Sequence, residues 1–366
     1  MNPVKRLDYL DMAKGIGIFF VALGHLEYVS TESRLWLSSF VMPLFFIISG
    51  ILMAYSDEPK REWNVIIKKR TRSLIIPYLW FSLSYFIIDI GNLNVVKNID
   101  LHTFIVDTIE SATFYGMSVL WFLPGLFLSA LIFLFFKKKF SDKITIPAMF
   151  AVAVVSYVIK LQFEKIYAAH ESSLLITSLI HVLYVFLRAA VAQSLLGCGY
   201  YAKKFFDMIS KESPVAKIAS SRPLSLIIGF ILLGVNFLLA NQNGCIDIRN
   251  ILLNNVLLFY IAAFAGCMAI IMICRALPPS RLIMYFGRNS LIVMACHINY
   301  YILYAGIKVA WFVDAYNKRA KHYVFVAVTM IVVFILSAVV IEVINRFFPF
   351  VLGKKRVKVS GNENVG

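Results

Sequence analysis

An all-α polytopic membrane protein, a bundle of about ten transmembrane helices, is the fold class this chain predicts, and three observations carry the prediction. Of its 366 residues 60% are hydrophobic and 15% charged, with 31 Phe and a mean hydropathy of +0.78, well outside soluble globular usage. Apolar windows of about twenty residues, the length that crosses a bilayer core of ~30 Å, recur ten times along the chain. Basic residues gather in the short segments between alternate windows, which is the signature of membrane topology.

In order, the windows fall at roughly 10 to 29, 35 to 56, 74 to 94, 117 to 136, 144 to 162, 177 to 200, 224 to 241, 251 to 274, 289 to 311 and 323 to 347. The first holds Asp11, Lys14 and His25 inside or at the edge of its apolar run. The second contains Pro43, which removes a backbone donor, and Ser49-Gly50, which permits close helix approach, so it reads as a kinked, tightly packed helix. The third follows the basic stretch KKRTRSLIIPY, and the segment after it, with Asp100, His102, Asp107 and Glu110, reads as a surface helix. The fourth opens with Trp121, either an aromatic-belt anchor or the stacking floor of a sugar site. The sixth places His181 and Arg188 seven apart on one face; Arg188 at mid-membrane needs a partner or a wet cavity, with Asp89 and Glu342 as candidates. The ninth starts GRNSLIVMACH, with His297 about 12 Å inside Arg288 and Asn289. Residues 1–349 thus form one membrane domain and 350–366 a short basic tail.

Loop charges set the orientation. Lys60 to Arg72, Lys137 to Lys143, Lys203 to Arg222, Arg275 to Arg288 and Lys354 to Lys358 all fall on one side, which the positive-inside rule makes cytoplasmic, together with both termini. Lys318, Arg319 and Lys321 are the one dissenting group. A net charge of +16 distributed in this way reflects topology and not nucleic-acid binding. Five cysteines without C-x-x-C spacing imply neither a disulfide framework nor a zinc site, and no metal is expected. The embedded Lys14 and His25 mark the first window as a retained helix and not a signal peptide.

Chemistry concentrates on the first helix. Eleven positions from Lys14 to His25 make about three turns, so the two side chains share a face ~16 Å apart, with Asp11 about 40° off that line. An ionisable group at membrane depth faces protein or water, and an imidazole there can take a proton from a hydroxyl, as general-base acyl transfer requires. Lys68, Lys69, Arg70 and Arg72 before Pro77-Tyr78 serve either as ordinary membrane anchors or as a polyanion site for a nucleotide phosphate.

Four stretches, RLDYLDMAKGIGIFFVALGH, MPLFFIISGILM, KKRTRSLIIPY and GRNSLIVMACH, with LWFLPGLFLS beside them, carry a resemblance to acyltransferase family 3 of bacterial integral membrane proteins, particularly its fucose 4-O-acetylase-like members. The resemblance implies a bacterial inner-membrane O-acetyltransferase that moves an acetyl group from cytoplasmic acetyl-CoA to a hydroxyl of a carbohydrate or glycolipid acceptor at the extracytoplasmic side. By position, His25 would be the catalytic histidine and Lys14 its basic companion, and Lys69 and Arg72 would hold coenzyme A. The family's usual Arg is Lys at 14 and at 69, so Arg70 is a further candidate phosphate ligand; His297 matches a family histidine. Some members carry an extracytoplasmic hydrolase-like domain, which here would have to be a separate relay partner. A transporter or flippase for a sugar or glycolipid is the rival class: it accounts for the spans and the intramembrane charges. It leaves the basic cluster beside the Lys14–His25 face without a reason.

Overall fold

The computed structural model describes residues 7–169, 174–209, 221–316 and 322–354. These form an all-helical bundle with no β-strand among the described residues, only an isolated bridge between Asp247 and Leu252. The helices are α1 (Asp8–Gly24), α2 (Thr31–Tyr55), α3 (Trp63–Arg70), α4 (Ile76–Gly91), α5 (Leu101–Ala112), α6 (Phe122–Lys139) and α7 (Asp142–Ala169). They continue with α8 (Leu174–Ile209), α9 (Arg222–Asn243), α10 (Val256–Ala276), α11 (Arg281–Arg288), α12 (Ser290–Cys296), α13 (Ile302–Tyr316) and α14 (His322–Phe347). Lys318, Arg319 and Lys321, the dissenting charges of the sequence, lie outside the described residues.

Eight described segments are long and apolar enough to cross a membrane, and α3 with α4 forms one of them, running from Trp63 to Val96 through a π-helical turn at Thr71–Ile75. The first window is shorter than expected, a helix of 17 residues. The ninth is not one helix: it divides into α12 and α13 around His297 to Tyr301, where Tyr301 takes a left-handed backbone with φ of 58°. Broken backbone at membrane depth is tolerated only where protein or a cavity satisfies it. Here Leu303 N donates to His297 O at 2.8 Å, Tyr301 N to Ile298 O at 2.8 Å, and the Tyr85 hydroxyl to Ala295 O.

Local chemistry sets the helix starts. Ser30, Asp100, Ser221, Asn255 and Ser280 each accept a backbone N–H three residues on and cap α2, α5, α9, α10 and α11. Lys137, Lys138 and Lys139 close α6, where cations suit the negative end of the helix.

Helix α2 runs through the centre and packs on α1, α8, α9 and α10. Pro43 lies buried within it. Its crossing with α8 is set by two glycines: a Cβ on Gly50 would overlap the Leu196 carbonyl and approach Tyr200 N to 2.8 Å, and one on Gly199 would come within 2.7 Å of the Ile47 carbonyl carbon. Two backbones this close need small residues on both sides. Replacing Gly199 by Val should destabilise the protein by about 1–3 kcal/mol, read as a lowered thermal midpoint in detergent, because rigid backbone opposes the new atoms. Gly234→Ala, inside α9 at a site with nothing within 4 Å, should leave the midpoint unchanged or raise it slightly.

Candidate active site

The α1 face expected from the sequence lines a chain of cavities. Lys14, Ile18 and Val21 border a central cavity of about 380 Å³, and Val21 and His25 border a smaller one of about 160 Å³. Antiparallel to them, α2 presents Ser49, Phe45 and Met42 to the central cavity, then Met42, Ser38 and Arg34 to the smaller one. Spacings of three and four residues keep each set on one helix face. A third cavity of about 660 Å³ is lined by Lys68, Lys69, Arg72 and Lys354, and it shares Ser73 with the central one. Ser73 lines both the basic mouth and the apolar middle, and Val21 and Met42 line both the apolar middle and the histidine chamber, so the three cavities adjoin in series.

His25 caps the C-terminus of α1 and is exposed to its chamber. Its Nδ1 lies 2.8 Å from Val21 O, so in the neutral ring this nitrogen carries the proton and donates it, leaving a lone pair on Nε2. His297, fully buried, has Nδ1 at 3.0 Å from Val293 O and 2.9 Å from Met294 O, which fixes its proton there too. Its unprotonated Nε2 approaches His25 Nδ1 to 3.4 Å, with the ring centroids 5.1 Å apart. The two histidines, 272 positions apart in sequence, form one pair because the break after α12 ends that helix beside the end of α1. An acceptor stands on either side of the His25 Nδ1–H, Val21 O and His297 Nε2.

Lys14 stands at the opposite end of this face and does not touch His25. Its Nζ pairs with Asp11 Oδ1 at 2.7 Å, and Arg288 Nε holds Asp11 Oδ2 at 2.9 Å, so Asp11 ties α1 to α11. At the basic mouth, Lys69 and Arg72 line the cavity, and Arg72 Nε donates to Gly353 O from the turn Pro349–Leu352 that follows α14. Arg70 turns away. Its Nε and a terminal nitrogen donate to Glu58 at 2.7 and 3.0 Å in a buried bidentate pair, which uses the geometry a phosphate would need. Glu58 is also 3.9 Å from Lys69. The first residues of the expected tail, through Lys354, are therefore part of the mouth; residues 355–366 lie outside the described ones.

Neither carboxylate expected for Arg188 reaches it. Asp89 accepts from Asn92 at 3.2 Å and Glu342 from the Tyr285 hydroxyl at 2.6 Å. Arg188, fully buried, instead donates to Tyr115 O at 2.9 Å and Arg249 O at 3.3 Å and lies against the rings of Tyr115 and Trp121, at 5.3 and 5.1 Å. Trp121 is thus a buried bearing for Arg188, neither a belt anchor nor part of the histidine chamber's wall. His181 stacks on Tyr115 at 4.2 Å. Helix α5 covers this group at the end remote from the mouth, where Arg249 pairs with Glu110 at 2.6 Å. Burial raises the Asp107 carboxyl there to about 6, aided by Asp89 and opposed by Arg249, and burial raises Glu110 against the pull of Arg249.

The sequence did not reveal Glu58, Lys354 or Arg34, nor the pairing of the two histidines. For Arg34 a signal was present, since it begins the α2 stripe that runs through Ser38, Met42, Phe45 and Ser49 at helical spacing. No curated protein and no solved structure matches the chain. A family model described as an acyltransferase domain matches residues 7–343, a span that takes in α1 with His25, Lys68, Lys69 and Arg72 of the basic mouth and the broken segment with His297. The chain, a polytopic membrane acyltransferase, belongs to acyltransferase family 3.

Proposed function

We propose that this protein is an O-acetyltransferase of a bacterial inner membrane, taking acetyl groups from cytoplasmic acetyl-CoA and passing them to a hydroxyl of a carbohydrate or glycolipid acceptor at the extracytoplasmic side. The observation that carries this reading is the series of cavities from a mouth of four basic side chains to an imidazole whose Nε2 is free. A long donor with a polyphosphate head and a thin, largely uncharged arm suits that series. Lys68, Lys69, Arg72 and Lys354 would hold the phosphates, and the central cavity beside Lys14 would take the arm.

In this reading His25 Nε2 removes the proton of the acceptor hydroxyl as that oxygen attacks the thioester carbonyl carbon. The imidazolium keeps its Nδ1–H on Val21 O and beside His297 Nε2, so charge develops where acceptors already stand. Collapse of the tetrahedral intermediate forms the new ester, breaks the carbon–sulfur bond and returns the proton from His25 to the departing thiolate. His297 acts through His25 by holding its proton on Nδ1. The face of Lys14 and Arg288 around Asp11 keeps α1 in place against α11.

His25→Ala should lower acetyl transfer from radiolabelled acetyl-CoA by about 10²–10⁴-fold, the usual range for loss of a general base, with membrane insertion retained. Near-normal transfer would remove His25 from the chemistry. His297→Leu should slow turnover and change its pH profile while leaving the KM for acetyl-CoA near its original value. Lys69→Ala should do the reverse, raising that KM on the order of tenfold, as expected for one charge-assisted contact.

A further inference from the structure

Two side chains separate the central cavity from the histidine chamber. Val21 and Met42 line both, facing each other from α1 and α2, and the space contracts from about 380 Å³ on one side to about 160 Å³ on the other. Val21 is buried, and a β-branched side chain in a helix has essentially one χ1 state, so it forms a fixed wall. Met42 is half-buried and unbranched, with three rotatable bonds that let it adapt to what passes. Val21 is also the residue whose carbonyl fixes His25 Nδ1 at 2.8 Å, so the wall and the imidazole are held by the same turn of α1.

We infer that Val21 and Met42 set the length of the acyl group this protein transfers, admitting two or three carbons and rejecting longer chains. The inference rests on the acyltransfer reading above. These two shared side chains stand between a donor arm in the central cavity and the imidazole in the chamber. Beyond them the small chamber has to hold the acyl carbons together with the attacking hydroxyl. Each added methylene takes space from the hydroxyl or pushes against Val21, so selection acts on turnover and not on capture of the coenzyme A portion at the basic mouth. A hydrophobic chamber discriminates by about 10–200-fold per methylene in favourable cases.

The test measures coenzyme A released by inside-out inner-membrane vesicles from cells expressing the full-length protein, which retain the cell's own glycans and glycolipids as acceptors, with acetyl-CoA, butyryl-CoA and hexanoyl-CoA supplied separately, and His25→Ala vesicles as the background. The unsubstituted protein should turn over acetyl-CoA in preference to the longer thioesters. Met42→Ala and Val21→Ala should each raise the butyryl-to-acetyl ratio by on the order of tenfold or more. Met42→Leu, which conserves volume, should shift it by less than about threefold. If the unsubstituted protein releases coenzyme A from acetyl-CoA and both alanine variants, folded by size exclusion, keep its ratio within twofold, the partition is wrong and the acyltransfer reading stands. If one alanine variant fails to fold, the other decides by the same criterion. Indifference of the unsubstituted protein to every thioester overturns the acyltransfer reading and this inference with it.

Discussion

Asp11 governs the register of the site. Its carboxylate is held by Lys14 on its own helix and by Arg288 on α11, at 2.7 and 2.9 Å, and the N-terminal part of α1 is thereby pinned to the segment that leads into α12. His25 lies fourteen positions after Asp11 along α1, and His297 nine positions after Arg288, across Asn289 and α12. A slip of one helical turn at the carboxylate, about 5.4 Å, would part the two imidazoles, whose nitrogens meet at 3.4 Å. An ion pair at one end of the bundle therefore acts as the ruler for a contact at the other. A carboxylate with two cations at a membrane edge is also an economical way to bury charge, because every oxygen has a partner.

What could be read from the chain depended on whether the controlling interaction was local. The Lys14–His25 face was legible, since helical periodicity alone dictates it, and it does line the cavities. Ser49-Gly50 as a site of close approach was legible for the same reason, although the partner, α8 at Gly199, was not. Arg70 was misread because its fate depends on Glu58, twelve residues earlier in a short 3₁₀ turn that apolar periodicity does not reveal. The π-helical turn at Thr71–Ile75 adds to the difficulty, because wider winding changes which residues after α3 share a face. Arg188 defeated pairing by charge altogether: its partners are main-chain oxygens and aromatic rings, which leave no acidic residue to search for. The break in the ninth window contains neither proline nor glycine, so nothing in residues 297–301 announced it.

That break is central to how the fold makes a site out of two ordinary histidines. A continuous helix would carry each backbone carbonyl past the imidazole into the next turn. Ending α12 at Cys296 leaves Met294 O to take the His297 Nδ1 proton, shared with Val293 O, which also accepts His297 N, while the Tyr85 hydroxyl of α4 satisfies Ala295 O. Within the break, Tyr301 N donates to Ile298 O and Leu303 N to His297 O, so the irregular backbone finds internal partners, as membrane depth demands. Tyr301 continues the arrangement by donating to Asn92 at 2.6 Å, which joins the break to the end of α4.

The turn Pro349–Leu352 brings Gly353 against Arg72 and Lys354 into the wall of the basic mouth. The last described residues therefore stand at the basic cavity and not at a neutral corner. Whatever is joined to the chain after Lys354 is tethered there, and tethering converts an encounter in solution into one governed by linker length, with effective concentrations reaching the millimolar range for short flexible linkers. Lys354 is a fixed point in the cavity wall, so a thioester-producing enzyme tethered close behind it would release its product beside the mouth without any dedicated docking surface.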